Sequence, residues 1–208
     1  MKAIIITPCL NENIKNVVDI HPDDFVICAD NSFASAMMQG VHPHLIIGDF
    51  DTGAPIKFPE NTEVIRFPVE KDDSDTMLCI KEAVRRGYTS ITVAGGISGR
   101  LDHTIANIQT LAYGKSIGAD VTFTDGENET FLMSPGKIAL TKKDGYSLSL
   151  FSYGERARGI TLKGVKYPLT NGELTNLFPL GLSNEITAEC AEISFEEGVL
   201  LIIRSRFN

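Results

Sequence analysis

The stretch "IIGDFDT", Ile46 to Thr52, runs out of an apolar strand straight into two aspartates with one phenylalanine between them. It belongs to a series. Up to about residue 125, "KAIIIT", "FVICAD", "HLIIGDF", "EVIRFP", "SITVAGG" and "DVTFTD" alternate with helical stretches such as "DTMLCIKEAVRRG". That alternation predicts parallel strands joined by crossover helices. In such a sheet, ligands gather at the carboxyl ends of the strands. The unusual residues fall there: Asp30 closes "FVICAD", Asp49 follows "LIIG", and Gly95 with Gly96 closes "SITVAGG".

Thr76 to Arg86 spaces Met77, Ile80, Ala83 and Val84 as the inward face of a helix, with Lys81, Glu82, Arg85 and Arg86 largely opposite and Gly87 as a stop. The segment 102–118, "DHTIANIQTLAYGKSIG", reads as a second helix with Ile105, Ile108 and Leu111 or Ala112 facing in. Beyond about Gly126 the texture changes to short runs, "GKIALT", "YSLSLFSY", "GITLKGV" and "AEISFEEGVLLIIRS", divided by Gly, Asn, Asp and Pro turn signals. These predict an all-β sandwich or small barrel. The expected organisation is an α/β domain with a mostly parallel sheet and crossover helices over residues 1–130, followed by a smaller all-β sandwich domain over 131–208.

The 208 residues, 43% hydrophobic and 22% charged, suffice for a sizeable buried core. Lys and Arg total 19 against 27 Asp and Glu, a formal net charge of -8, so nucleic acid is not an expected partner. A small polyanion held through metal ions is compatible with that balance. No run approaches the roughly 20 apolar residues of a membrane span. The start "MKAIIITPCLNEN" lacks the pattern of a secretory signal, so a cytoplasmic protein without a membrane partner is expected. Cys9, Cys28, Cys79 and Cys190 are scattered without zinc or redox spacing and read as free thiols.

If the strand stayed extended, Asp49 and Asp51 would point to one side about 7 Å apart, a cradle for Mg²⁺. Ordering of a turn after the strand explains the same pair. A second acidic cluster, Asp72, Asp73 and Asp75 beside Lys71, precedes the Thr76 helix. Helix capping accounts for one of these acids, and a solvated charged turn accounts for all of them. Mg²⁺ takes oxygen ligands, commonly one or two carboxylates plus substrate phosphates, and two acidic loops at one sheet edge meet that requirement. His21, His42, His44 and His103 show no ligand spacing with cysteine.

The third constellation is "GGISGRLDHTIAN", Gly95 to Asn107. Glycines after a strand let the backbone approach a phosphate, and a following helix N-terminus offers N–H donors. Arg100 adds a planar fork suited to phosphate oxygens; a glycine-rich turn with a surface arginine is the alternative. Gly114, Lys115 and Ser116 do not end a Walker A loop, because Gln109 stands where its first glycine belongs. Ser98 lacks the spacing of a nucleophile elbow, and Gly95, Gly96 and Gly99 make no dinucleotide fingerprint.

In order and spacing, "GDFDT" at 48–52, "KDDSDT" at 71–76, "GGISGRLDHTIAN" at 95–107 and "GLSNE" at 181–185 resemble the thiamine pyrophosphokinases, over nearly the whole chain. The resemblance implies an N-terminal ATP-binding catalytic domain and a C-terminal β-sandwich for thiamine binding and dimerisation. It also implies transfer of the pyrophosphoryl group of ATP to the hydroxyl of thiamine, with Mg²⁺ as cofactor, by a homodimer. Asp49, Asp51, Asp72 and Asp75 match the family's catalytic and metal-placing acids, and Asp73 falls in a variable slot. Arg100 and Asp102 match its catalytic "GRLDH" element. ATP contacts are implied for Asp30, Asn31, Arg100, His103 and Asn107, and thiamine contacts for Asp102, Ser183 and Asn184. Two features depart from the family: Asn31, Ser32 and Phe33 stand where glycines often follow the strand-end aspartate, and the chain has no Trp to stack on thiamine. Two other readings are pyrophosphoryl transfer to another hydroxymethyl heterocycle and a non-catalytic nucleotide or thiamine-derivative sensor.

Overall fold

The six apolar runs of the first half become six strands: β1 (Ala3–Ile6), β2 (Phe25–Ala29), β3 (Leu45–Gly48), β4 (Glu63–Arg66), β5 (Ser90–Ala94) and β6 (Asp120–Thr124). All five neighbouring pairs are parallel, in the order β6-β5-β1-β2-β3-β4. The computed structural model describes residues 1–10, 12–50, 57–70 and 72–207. The chain divides into two units, Met1–Gly126 and Glu127–Asn208.

Strands β1 and β3 are buried at every position, as expected where both faces of a parallel sheet are covered. The helices are α1 (Ile14–Val17), α2 (Ser32–Met38), α3 (Asp75–Arg85) and α4 (Leu101–Ser116). The chain steps from β1 outward to β4, then returns to the other side of β1 to lay down β5 and β6. The direction of winding therefore reverses between β1 and β5, which is where an open α/β sheet forms its crevice.

Helix α3 packs against β1, β2 and β3 and buries Leu78, Cys79, Ile80 and Ala83. Ile80 and Ala83 face in as expected, while Leu78 and Cys79 take the places anticipated for Met77 and Val84. Helix α4 differs more. Its buried residues are Asn107, Thr110, Leu111 and Gly114, and Ile105 is 51% exposed. Gly114 supplies the reason, since a Cβ there would come within 2.5 Å of Val121 Cγ2. The helix approaches β6 along its glycine, and that rotation turns Ile105 outward.

The second unit contains β7 (Asn128–Met133), β8 (Gly136–Thr141), β9 (Tyr146–Ser152), β10 (Arg156–Lys163), β11 (Leu169–Thr175), β12 (Asn184–Glu185), β13 (Cys190–Phe195) and β14 (Leu200–Arg206). They form two antiparallel sheets, ordered β12-β9-β14-β7 and β11-β10-β13-β8. Alternate residues of β13 are buried, and Leu148, Leu150, Ile160, Ile193, Leu200 and Ile202 share one core. This is the sandwich arrangement. Residues 127–130, read above as the end of the first domain, belong to the second unit. Among the described residues, no helix is long and apolar enough to cross a membrane.

Candidate active site

A cavity of ≈ 380 Å³ opens at the carboxyl ends of the parallel strands of the first unit. Thr7 and Cys9 follow β1, Ala29 ends β2, Asp49 follows β3, and Gly96 and Ser98 follow β5; all line it. Asp73, Ser74, Asp75 and Thr76 contribute from the start of α3, and Arg100, His103 and Asn107 from the start of α4. The winding reversal thus gathers all three sequence constellations into one space.

Asp49 is aimed by its two neighbours. A Cβ at Gly48 would lie 2.8 Å from Asp30 Cα, so only glycine lets β3 pass this close to the end of β2. Phe50 has φ +53, a left-handed conformation that costs a non-glycine residue roughly 1–2 kcal/mol. Its ring is 7% exposed and meets Phe58 edge-on at 5.1 Å, a contact that holds the turn in place. The strand therefore ends before Asp49, and the extended geometry expected to put Asp49 and Asp51 on one side does not continue through Phe50. Asp51 lies outside the described residues.

In the second acidic cluster, Ser74 is the helix cap: its Oγ accepts a hydrogen bond from Met77 N at 3.2 Å. Capping therefore needs none of the three aspartates. Asp75 opens the helix and lines the cavity, whereas Asp72 is exposed and is not part of the lining. Asp73, placed above in a variable slot, does line it. Both of its oxygens accept from Lys81 Nζ, at 2.8 and 2.6 Å. Among the described residues, no three His, Cys, Asp or Glu side chains form a metal cage.

The glycine loop makes its turn with φ +92 at Gly95 and +82 at Gly96. Gly96 O accepts Asn107 Nδ2 at 2.6 Å, and Asn107 is 6% exposed, so a buried amide ties α4 to the loop. Arg100 occupies the cap position of α4 without a side-chain capping bond. Its guanidinium donates to Asp102 through Nε (3.1 Å) and Nη2 (2.5 Å). That bidentate contact holds the Asp102 carboxyl below its ordinary range, aided by the His103 backbone N–H. Asp102 is exposed and not part of the lining.

Asp30 adopts φ +46, which aspartate tolerates better than most residues, and its N–H donates to Ile47 O at 2.7 Å. Asn31 lines a smaller cavity of ≈ 200 Å³, to which Thr7 and Pro8 also contribute. The departure from glycine after Asp30 has a visible use: Ser32 Oγ donates to Ile6 O at 2.8 Å and anchors α2 to β1.

In the second unit, Asn184 lines an apolar cavity of ≈ 150 Å³ with Leu150, Tyr167, Leu169, Leu180 and Leu182. Asn184 is 6% exposed. Its Oδ1 accepts from the N–H groups of Tyr167 (3.0 Å) and Glu185 (2.8 Å), and its Nδ2 donates to Tyr167 O at 2.8 Å. The amide therefore fixes the backbone of Tyr167. Ser183 has φ +56, and its N–H donates to Ser149 Oγ at 3.0 Å. Tyr167 lines the apolar cavity, Lys81 pairs with the lining Asp73, and Thr7 and Cys9 line the larger cavity; the sequence reading placed none of the four at a site. The strand-end rule would have found the last two, which follow "KAIII".

Residues 20–122 match the thiamin pyrophosphokinase catalytic domain, and residues 137–200 match the thiamin pyrophosphokinase vitamin B1 binding domain. Thiamine pyrophosphokinase of Bacillus subtilis (strain 168) is 29% identical over 187 residues, covering 86% of both chains. A crystal structure of thiamine pyrophosphokinase from Bacillus subtilis matches with a TM-score of 0.83 at 26% identity, over 99% of each chain. That of a thiamin pyrophosphokinase family protein from Enterococcus faecalis gives 0.83 at 26% identity over 100% of each. With the two matched domains falling one in each unit, the chain belongs to the thiamin pyrophosphokinase family.

Proposed function

We propose that the chain is a thiamine pyrophosphokinase that transfers the pyrophosphoryl group of ATP to the hydroxyl of thiamine, giving thiamine diphosphate and AMP. The observation that carries this reading is the single cavity uniting Asp49, Asp75, Arg100, His103 and Asn107. In the reaction, the thiamine hydroxyl oxygen bonds to the β-phosphorus, and the bond from that phosphorus to the α–β bridging oxygen breaks, releasing AMP. Such transfers depend on positioning and on stabilising spread negative charge.

The donors in the cavity fit Mg²⁺: the carboxylates of Asp49 and Asp75 and the hydroxyls of Thr7, Ser74 and Thr76 are hard oxygens, and Mg²⁺ completes its shell with waters and phosphates. Asp49 and Asp75, with Asp51 and Asp72 from the same two loops, are the residues we assign to hold it. When bound, it neutralises polyphosphate charge and aligns the reacting oxygens. Arg100 donates to the phosphates, exchanging or sharing its contact with Asp102, and we assign Asp102 to place the thiamine hydroxyl. His103 and Asn107 line the nucleotide's path, with Asp30 and Asn31 beside the smaller cavity. The thiamine heterocycle is assigned to the second unit, with Asn184 lining its apolar cavity, Ser183 next to it in sequence, and Tyr167 as the planar group in place of tryptophan.

A homodimer is part of the proposal. Leu177 (90% exposed), Phe178 (66%), Leu180 (58%) and Leu182 (56%) form an apolar run on the second unit, the kind of surface that marks an interface. A stable monomer in light scattering would remove this part. Four free cysteines suit a reducing cytoplasm.

The test is chromatographic detection of AMP and thiamine diphosphate from ATP and thiamine, with and without Mg²⁺. Equal, metal-dependent formation of both is expected, and Asp49→Asn should abolish it while the protein stays folded. ATP binding without either product would overturn the assignment.

A further inference from the structure

Most arginines of this chain are engaged with carboxylates: Arg85 and Arg86 with Glu82, Arg158 with Glu173, Arg204 with Glu129. Arg66 is placed differently. Among the described residues it makes no ion pair, and its guanidinium lies over two aromatic rings, 4.9 Å from the Phe50 centroid and 5.2 Å from that of Phe58. Arg66 is the last residue of β4, in register with Gly48, and Phe67 N donates to Gly48 O at 3.1 Å. The backbone that carries Arg66 is thus hydrogen-bonded to the strand that leads into Asp49.

The three rings form a chain: Phe33 lies 5.5 Å from Phe58, and Phe58 5.1 Å from Phe50. Arg66 covers the outer part of that chain. Phe50 is the residue whose left-handed backbone turns β3 into the cavity, and such a conformation persists at a phenylalanine only while its side chain is over-determined. Gly48 fixes the turn from one side through its close approach to Asp30; the ring of Phe50 fixes it from the other. Arg66 does not line the cavity; among the described residues, its side chain reaches the turn that carries Asp49 through the ring of Phe50.

We propose that Arg66 is a positioning residue for Asp49: by clamping the Phe50 ring it fixes the turn that presents the Asp49 carboxylate, and so sets the affinity of the cavity for a divalent cation held with a polyphosphate. This rests on reading the cavity as the site of the metal-nucleotide substrate.

The experiment compares wild type, Arg66→Met and Arg66→Lys, with Mn²⁺ as a spectroscopic stand-in for Mg²⁺. Free Mn²⁺ is titrated by electron paramagnetic resonance in the presence of α,β-methylene-ATP, which cannot transfer its terminal groups. Loss of a cation–π contact at an exposed arginine is expected to weaken Mn²⁺ binding roughly two- to five-fold in Arg66→Met. The thermal midpoint should stay within about 2 °C of wild type. Arg66→Lys, which keeps a cation over the rings, should fall between the two. Unchanged Mn²⁺ affinity in Arg66→Met would overturn the inference. So would an equal loss of α,β-methylene-ATP affinity measured without metal, because Arg66 would then be a phosphate ligand. Thiamine diphosphate formation by wild type, followed in parallel, tests the proposed function separately, since the Mn²⁺ readout needs no acceptor.

Discussion

Gly95→Ala separates two reasons for a glycine at the turn after β5, backbone strain and lack of space. Gly95 has φ +92, and a Cβ there would lie 2.4 Å from Thr7 Oγ1, 3.2 Å from Leu10 N and 3.3 Å from Leu10 Cβ. Thr7 is 3% exposed, and its hydroxyl donates to Ala94 O at 3.1 Å, so it cannot swing aside without losing that bond. The left-handed backbone costs roughly 1–2 kcal/mol and overpacking about 1–3 kcal/mol, giving about 2–5 kcal/mol in all. Gly99→Ala is the control. Gly99 has φ +86 with nothing within 4 Å of its Cβ, so only the strain of about 1–2 kcal/mol applies. Thr7→Ala alone loses one buried hydrogen bond, about 0.5–1.5 kcal/mol. Because it also removes the atom that clashes, Gly95→Ala combined with Thr7→Ala should cost less than the sum by about 1–2 kcal/mol. Native-state hydrogen exchange of the β1 and β5 amides reads these values within the first unit. A Gly95→Ala cost no greater than that of Gly99→Ala, or strict additivity with Thr7→Ala, would refute the reasoning.

Asp24→Asn should destabilise the first unit by about 1–3 kcal/mol at neutral pH. Burial works against the Asp24 charge, but the backbone N–H groups of His21 and Lys2, with the Lys2 charge, outweigh it and hold the carboxyl below its ordinary value of 3.8. A depressed folded value gives stability that is present above 3.8 and lost as pH falls below it, so denaturation curves of wild type and variant should converge in acid; a constant gap would contradict this. Maleimide should label exposed Cys9 well before buried Cys28 and Cys79, since burial pushes the Cys28 thiol up to about 12 and that of Cys79 well above its ordinary value. Saturating ATP should slow labelling of Cys9, which lines the cavity; mass spectrometry showing no protection would take Cys9 out of the nucleotide's path. Asn184→Ala leaves the Tyr167 N–H and C=O without their amide partner and should cost about 1–3 kcal/mol. It should also raise KM for thiamine more than KM for ATP, and equal changes in steady-state kinetics would argue against the pocket.

The strands of the first unit were legible as short, largely apolar runs, and α3 and α4 were legible as helices from their apolar spacing, whereas the short α1 and α2 were not read. The rotation of α4 was not legible, because it depends on the close approach of Gly114 to Val121, a tertiary contact that the spacing of Ile105 and Ile108 does not encode. Strand β7 begins "NET" and β11 reads "LTNGELT", too polar to stand out from the turns around them. At the site, the acidic loops and the glycine-arginine element could be found as clusters. Which acid faces inward could not: Asp72, Asp73 and Asp75 fall within four positions, and only the backbone path into the Ser74 cap separates the exposed Asp72 from the lining Asp73. The use of Lys81 by Asp73 likewise joins a residue of the loop before α3 to one eight positions further on in the helix, where a lysine on the polar side carries no distinguishing signal.

Three strained backbone positions in this chain fall at or beside residues assigned to ligands. Of the five described non-glycine residues at positive φ, Asp30, Phe50 and Ser183 are candidate contacts or their immediate neighbours and occur in both units, whereas Asn61 and Asn171 are not. The physical reason is common to all three. A strand that simply continued would alternate its side chains across the pleat, so bringing a chosen side chain to the sheet edge requires an abrupt turn in the backbone. Such a turn is retained only where packing or hydrogen bonding outweighs it: the Ile47 carbonyl for Asp30, the aromatic ring chain for Phe50, the Ser149 hydroxyl for Ser183. Each support lies on a strand or is braced by one. The sheets therefore do more than place loops at one edge, since their rigidity sustains conformations that the loop residues would not adopt alone. A motif search registers the aspartate or serine at such a position, but the neighbour that holds it there is set by register and packing, which is why Arg66 and Ser149 carry no signal in the sequence.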